Sequence, residues 1–375
     1  MANVININGQ NGQSNVNVKM TESGAKAPAW QQFGRDCVAD GIKTIQDVMN
    51  DTTSGHRISY NVDEMPLMRV PKELVEAIRK GETYNWKPTA MDIVESHKAT
   101  VRTENGEHLT TLGIVGHKYG IVSNMAAMGF IDFIKDVSGE EPIIETYGAL
   151  GNGERVFVTA KIGKANYLNP NDAIENYLVF TNSHNGSGSV MCFCSPVRVI
   201  CANTLNLAIK NAAFSINIKH TAKANERLDW SVERNRKIAA EVFSKYNIFN
   251  EDFMTRMTML KEQTVDDKYI KNFVGKVCLS DKLYPLFKKA DFQVDRVEEI
   301  GTKSKNLMTA LTDSIESGIG QEFNRGTKVW LLNGLTTHLQ NGKVWKDEGQ
   351  DKFNSIMFGD GAKKVDTAYK FLMAA

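Results

Sequence analysis

Ser183 and His184 are the first pair in this sequence that could do covalent chemistry, a hydroxyl nucleophile beside an imidazole base. Neighbours in an extended chain point to opposite faces, so His184 is badly placed to take the Ser183 proton. The run Ser183-His184-Asn185-Gly186-Ser187 reads instead as a polar hairpin turn. The other histidines, His56, His97, His108, His117, His220 and His338, show no helical metal-ligand spacing. Cys192 and Cys194 stand two apart in a strand-like run and share a face, but no second pair follows to complete a zinc site, and they read as buried free thiols. Gly148-Ala149-Leu150-Gly151-Asn152-Gly153 is glycine-rich yet joins two strands rather than opening a helix, which makes it a hairpin turn rather than a dinucleotide loop. Asp266-Asp267 and Glu298-Glu299 read as solvated helix faces. No catalytic residue, metal ligand or cofactor is assigned, and the expectation is a protein without covalent chemistry of its own.

The residues with more promise bind anions. Ser195-Pro196 has the signature of a helix start, Ser as N-cap and Pro at the first position, which puts Arg198 in the first turn. Free N–H groups and the macrodipole there favour an anion, so a cation implies a buried carboxylate partner or a bound phosphate. Asn203 and Asn206, weak helix formers, would then satisfy buried polar groups or a ligand. Lys210, Lys219, His220, Lys223, Arg227, Arg234, Arg236 and Lys237 exceed the nearby Glu226, Asp229 and Glu233. Such a run is either a solvated helix face or a phosphate-binding one. Lys161 and Lys164, with Tyr167, close a strand, and cations beside aromatics suit a single nucleic-acid strand.

Periodicity supplies the elements that would position these groups. Pro71 opens a short amphipathic helix through Arg79, stopped by Gly81. Leu109–Val122 reads as a strand or hairpin, then Ser123 or Asn124 caps a helix over 124–137 whose Ala127, Phe130, Ile131 and Ile134 make one apolar stripe. Ile143–Leu150, Arg155–Gly163, Tyr177–Asn182 and Ser187–Ser195 read as strands, with a polar loop over 164–174. In the second of these, Val156, Val158, Ala160 and Ile162 alternate onto one face. Phe214, Ile216 and Ile218 alternate like one more strand, and from about Thr221 the chain is helical and charged. The expected fold is α+β, an antiparallel sheet with helices packed on one face and a mostly helical C-terminal lobe. The expected parts are a flexible N-terminal arm over 1–27, a core domain over 28–220 and the lobe over 221–375.

Composition narrows the class. The 375 residues carry Lys+Arg 45 against Asp+Glu 44, so any nucleic-acid surface must be a local patch rather than a global field. Five scattered cysteines make no disulfide framework and point to a reducing compartment. No apolar run is long enough to span a membrane and no signal peptide is visible, so a cytoplasmic location is expected.

The stretches Gly113–Asn124, Glu145–Val158, Tyr177–Ser187, Pro196–Leu205, Lys219–Thr221 and Trp330–Thr336 together resemble, in order, the phage/plasmid-like family called domain of unknown function 932. One departure is Asn185, where that family often has Asp. The resemblance implies carriage on phages, plasmids or prophages and supplies no activity. The order of helix, meander and helix is also similar to the core of single-strand annealing recombinases, an analogy of topology. The leading expectation is single-stranded DNA binding, with annealing, in phage or plasmid replication or recombination, as a homo-oligomer. The contact residues would be Arg198, Lys210, Lys219, His220, Lys223, Arg227, Lys161 and Lys164. The rival is a protein that binds a host protein, which predicts an exposed apolar patch; a metal-dependent nuclease would need three or more converging carboxylates.

Overall fold

The structure, a computed structural model, describes residues 34–52, 55–139, 141–170, 172–198, 203–204, 215–343 and 350–374. The expected arm over 1–27 lies outside them. The chain runs β1 (Arg35–Asp36), α1 (Cys37–Asp40), α2 (Ile45–Asn50), β2 (Asn61–Met68), α3 (Lys72–Lys80), β3 (Ile93–Glu104), β4 (Glu107–Gly116), α4 (Asn124–Met128), α5 (Phe130–Ser138), β5 (Ile143–Leu150), β6 (Arg155–Asn169), β7 (Asp172–Ser183), β8 (Val190–Arg198), β9 (Asn203–Thr204) and β10 (Ser215–Ile218). Helices follow: α6 (Ala224–Arg227), α7 (Glu233–Glu262), α8 (Asp267–Cys278), α9 (Leu283–Lys289), α10 (Thr302–Ser317), α11 (Lys328–Thr337), α12 (Gln350–Met357) and α13 (Asp360–Met373).

Among the described residues the strands make two antiparallel sheets. The larger has the order β1-β5-β6-β7-β8-β10, with β9 also on β8, and the smaller is β2-β3-β4. With the C-terminal helices this is the α+β fold that the sequence predicts. Alternation works as read: Val156, Val158, Ala160 and Ile162 of β6 are buried against the stripe of α4 and α5, where Ala127, Phe130, Ile131 and Ile134 are also buried. The long helix α7 adds Phe249, Phe253 and Met257 to that core. The opposite face of β6 and β7 is buried as well. Phe157, Tyr177 and Val179 pack there with Phe193 and Val197 of β8 under Phe353 and Met357 of α12. Strands covered on both faces lose their clean alternation, which is why β7 is almost continuously buried.

Two expectations are corrected. Ser195-Pro196 does not start a helix: β8 runs through it to Arg198, and Tyr177↔Ser195 and Ile174↔Arg198 continue the ladder with β7. Serine before proline is pushed to extended backbone, and that bias serves a strand here. Pro196 falls in the gap on the outer edge of β8, between β10, which pairs as far as Phe193, and β9, which pairs from Val197. Second, residues 164–169 are not a loop but the end of β6, reached through a bulge at Gly163, whose φ of 66° suits glycine. Polar residues at the next turn face protein rather than water. Asn169 Nδ2 donates to Asn324 Oδ1 (3.0 Å), and Asn324 Nδ2 to the buried Asp172 (2.7 Å), tying the sheet to the helical lobe.

Candidate nucleic-acid interface

The predicted basic residues divide between the two ends of the sheet. β10 pairs with β8 so that Ile218 lies opposite Val190, while Arg198 ends β8 eight residues away. At about 3.4 Å per residue the two ends are roughly 27 Å apart. Lys219 and the residues after it therefore leave from the end remote from Arg198, and the single surface that would join them does not form.

At the first end, residues 117–121, leading into α4, lie beside residues 219–221. Tyr119 and Thr221 make an antiparallel bridge, and Gly120 N–H donates to the His220 carbonyl (3.3 Å). A side chain at Gly120 would stand 2.2 Å from the Thr221 carbonyl oxygen, so the contact requires glycine. The Tyr119 ring stacks on His220 (centroids 4.6 Å, 10° between planes), and its hydroxyl donates to the Ser183 carbonyl (2.6 Å). His220 Nδ1 lies 3.1 Å from the Gly120 carbonyl, an acceptor, so Nδ1 carries the proton. Burial lowers the His220 pKa, so at neutral pH this residue is an uncharged wedge, not the phosphate contact read from sequence. Around the wedge are Lys118, Lys219, Lys223 and Arg227, all exposed and making no ion pair among the described residues. Lys219, Lys223 and Arg227 follow at intervals of four, Lys219 before α6, Lys223 at its N-cap and Arg227 at its end, and the turn is anchored by the buried Ala224 and Leu228. Next to them Trp230 Nε1 donates to the Ala126 carbonyl (3.2 Å), and Arg236 covers the Phe133 ring at 4.4 Å.

The other end is largely neutralised. Lys161 is ion-paired with Glu175, and the Tyr177 hydroxyl lies 3.0 Å from both Glu175 and Glu145. Lys164 and Tyr167 are exposed on the final stretch of β6. Arg198 is in register with Ile174 and Asn203, but its side chain and the whole of Lys210 lie outside the described residues.

At the first end too, below the small sheet, lies a second cluster of chemistry-bearing residues. His184 opens the hairpin turn between β7 and β8, as its sequence suggests, but is fully buried there, and it does not meet Ser183, whose hydroxyl donates to Asn185 Oδ1 (2.9 Å). His184 Nε2 and Asn182 Nδ2 both reach Asn124 Oδ1 (2.9 and 3.0 Å), while Asn124 Nδ2 donates to the Ile58 carbonyl (2.8 Å). Because Asn124 Oδ1 accepts, His184 carries its proton on Nε2. Burial, aided by His220, lowers its pKa to about 3. Thr100 of β3 donates to the His184 carbonyl (2.6 Å), so this histidine holds the small sheet to the large one. Beside it Tyr60 donates to the Gly153 carbonyl (2.7 Å) and lies under Arg102, which is paired with Glu104. Asn124, Tyr60, Arg102 and Lys118 were not singled out from sequence. Of the two cap residues read from sequence, Ser123 takes the role by accepting from Ala126 N–H (3.2 Å), which leaves Asn124 for the junction.

Cys192 and Cys194 are buried free thiols; burial raises both, Cys194 to about 12. Among the described residues no three His, Cys, Asp or Glu side chains converge where they could hold a metal. No helix of the described residues is long and apolar enough to cross a membrane. A family model described as Domain of unknown function (DUF932) matches residues 111–357, which takes in Tyr119, Asn124, His184, His220 and α11. No curated protein and no solved structure matches the chain.

Proposed function

The chain belongs to the family described as Domain of unknown function (DUF932), and from that premise, which assigns no activity, we propose that it binds single-stranded DNA through the ledge formed by Lys118, Lys219, Lys223 and Arg227. The observation that carries the reading is that these four cations stand exposed on a braced seam and make no ion pair among the described residues, in a protein that pairs Lys161, Lys98 and Arg102 with carboxylates. Fixed cations of this kind are what a phosphate chain needs, and releasing counterions from it supplies the affinity. Arg234 extends the positive edge along α7. Annealing, self-association and a phage or plasmid setting belong to the same proposal and rest on the sequence resemblance. Fluorescence anisotropy with a labelled oligo-dT strand tests it. Binding is expected to weaken with salt at a slope of about 0.7 per phosphate contact. A wild-type protein that fails to bind at about 50 mM salt, where screening is weakest, ends the proposal.

A second reading, docking of a host protein, has its own observation. The small sheet and its flanks expose Met65, Met68, Met91, Ile93, Leu109 and Ile114. Met65, Ala99 and Ile114 form one row across β2, β3 and β4. Methionine-rich apolar surface suits adaptable protein contacts. Asp replacements at Met65 and Ile114 should abolish a partner's binding and leave the oligonucleotide affinity unchanged; loss of oligonucleotide binding instead would move the nucleic-acid surface to this face.

A further inference from the structure

The helical lobe holds an open cleft of about 450 Å³, remote in sequence from both the ledge and the small sheet. That is within the range of small-molecule sites. α8 offers Asp267, Ile270 and Val274, spaced i, i+3 and i+7 and therefore on one face. α10 offers Met308, Thr312 and Glu316 on a matching face, with Asp313 beside them. Phe287 of α9 and Phe292 complete an apolar floor, in contact edge to face with centroids 5.5 Å apart.

Phe292 reaches that position through unusual backbone. Asp291 and Phe292 are consecutive non-glycine residues in the left-handed region, at φ 50° and 57°. Phe292 N–H donates to the Phe287 carbonyl (3.0 Å), and Lys268 holds Asp291 at 2.8 Å. The fold keeps this strain, and the ring it delivers lines the cleft.

Charge at the mouth is one-sided. Asp295 is matched by Lys305 (3.5 Å) and Glu316 by Arg325 (2.8 Å). Asp267 and Asp313 make no ion pair among the described residues, and Lys271 is the cation of the lining left against them. With one lysine against two carboxylates the mouth stays net negative, which disfavours an anion and gives a neutral molecule nothing.

We propose that this cleft binds a small amphipathic cation, an aromatic or branched apolar body carrying an ammonium group. The body seats among Val274, Phe287, Phe292 and Met308, and the ammonium is held by Asp267 and Asp313. This goes beyond the DNA-binding reading and does not depend on it.

The probes are 2-phenylethylammonium, its neutral isostere 2-phenylethanol and the anion 3-phenylpropionate, titrated into full-length protein with methyl-labelled methionine. The Met308 methyl resonance, identified from Met308→Leu, should shift with the cation. The cation should bind about tenfold more tightly than the alcohol, as two exposed carboxylates allow. In Asp267→Asn/Asp313→Asn, exposed positions that leave the fold intact, the preference should fall to within about twofold. The proposal is overturned if Met308 does not respond, if alcohol and ammonium bind wild type equally, if the anion binds best, or if the double variant keeps the full preference.

Discussion

The junction around His184 and the ledge around Lys223 meet at the same strand end, where Ser183 closes β7, and they use polar residues in opposite ways. In the junction, hydrogen bonds converge on Asn124, the imidazole of His184 is kept neutral, and the nearby Arg102 is matched by Glu104. On the ledge, Lys219, Lys223 and Arg227 are exposed and make no ion pair among the described residues. The residue types that look reactive in the sequence, histidine beside serine, are spent on packing two sheets together. The plain lysines, which look like any solvated face, are the ones proposed to meet a ligand. In the proposed reading, exposure without an ion pair, rather than reactive residue type, marks the site.

Separating the two regions experimentally should give effects of decreasing size. Asn124→Ala removes the shared acceptor of His184 and Asn182 and the donor to Ile58, and should cost about 3–5 kcal/mol in chemical denaturation while affinity per folded molecule stays unchanged. A loss under about 1 kcal/mol would mean the junction does not hold the sheets.

Acid comes next. His184 is neutral in the fold, with a pKa lowered from 6.5 to about 3, so protons favour the unfolded chain once the pH drops below 6.5. Stability should be full at pH 7 and fall by about 1.4 kcal/mol per pH unit from 6.5 towards 3, roughly 2 kcal/mol by pH 5 from this group. His220, lowered by burial, adds in the same direction. His184→Gln should flatten that dependence whatever it does to stability at pH 7, and an unchanged slope would remove His184 from the account.

Changes on the ledge should show the reverse pattern. Lys219→Ala/Lys223→Ala/Arg227→Ala should move stability by less than about 0.5 kcal/mol and lower the salt slope of oligo-dT binding by about 2. Lys118→Ala, the smallest step, should lower it by about 0.7. If the triple variant keeps the wild-type slope, phosphates bind elsewhere, and the Lys164 end of the sheet becomes the place to look.

What could be seen in advance depended on how local the cause was. The stripe of α4 and α5, the turn at Gly151–Gly153, and the helix between Pro71 and Gly81 are set by neighbours in sequence, and each formed where its pattern lies. Gly81 takes a φ of 71° and closes α3 as its C-cap. Ser195-Pro196 misled because a capping signature is short, while the ladder that overrules it comes from Ile174–Tyr177, some twenty residues away. Lys164–Asn169 misled because its asparagines look solvated until Asn250 partners Asn166 and Asn324 partners Asn169, 84 and 155 residues on. On the ledge, Lys219, Lys223 and Arg227 were legible as charge. Lys118 was not, since only the bridge from Tyr119 to Thr221, across 102 residues, brings it there.

The cover over the second face of the sheet arrives late in synthesis. Leu150, Phe157, Tyr177, Val179, Phe193 and Val197 are translated well before Phe353, Ile356 and Met357, and 155 residues separate Arg198 from Phe353. At about 5–20 residues per second, that apolar face waits roughly 8–30 s for its lid. During that interval a nascent chain presents sticky surface to the ribosome's surroundings, and a chaperone or a second nascent copy has time to reach it. A stop codon placed before Phe353 would make the waiting permanent, so such truncations should collect in the insoluble fraction, although the ledge and the His184 junction precede the cut.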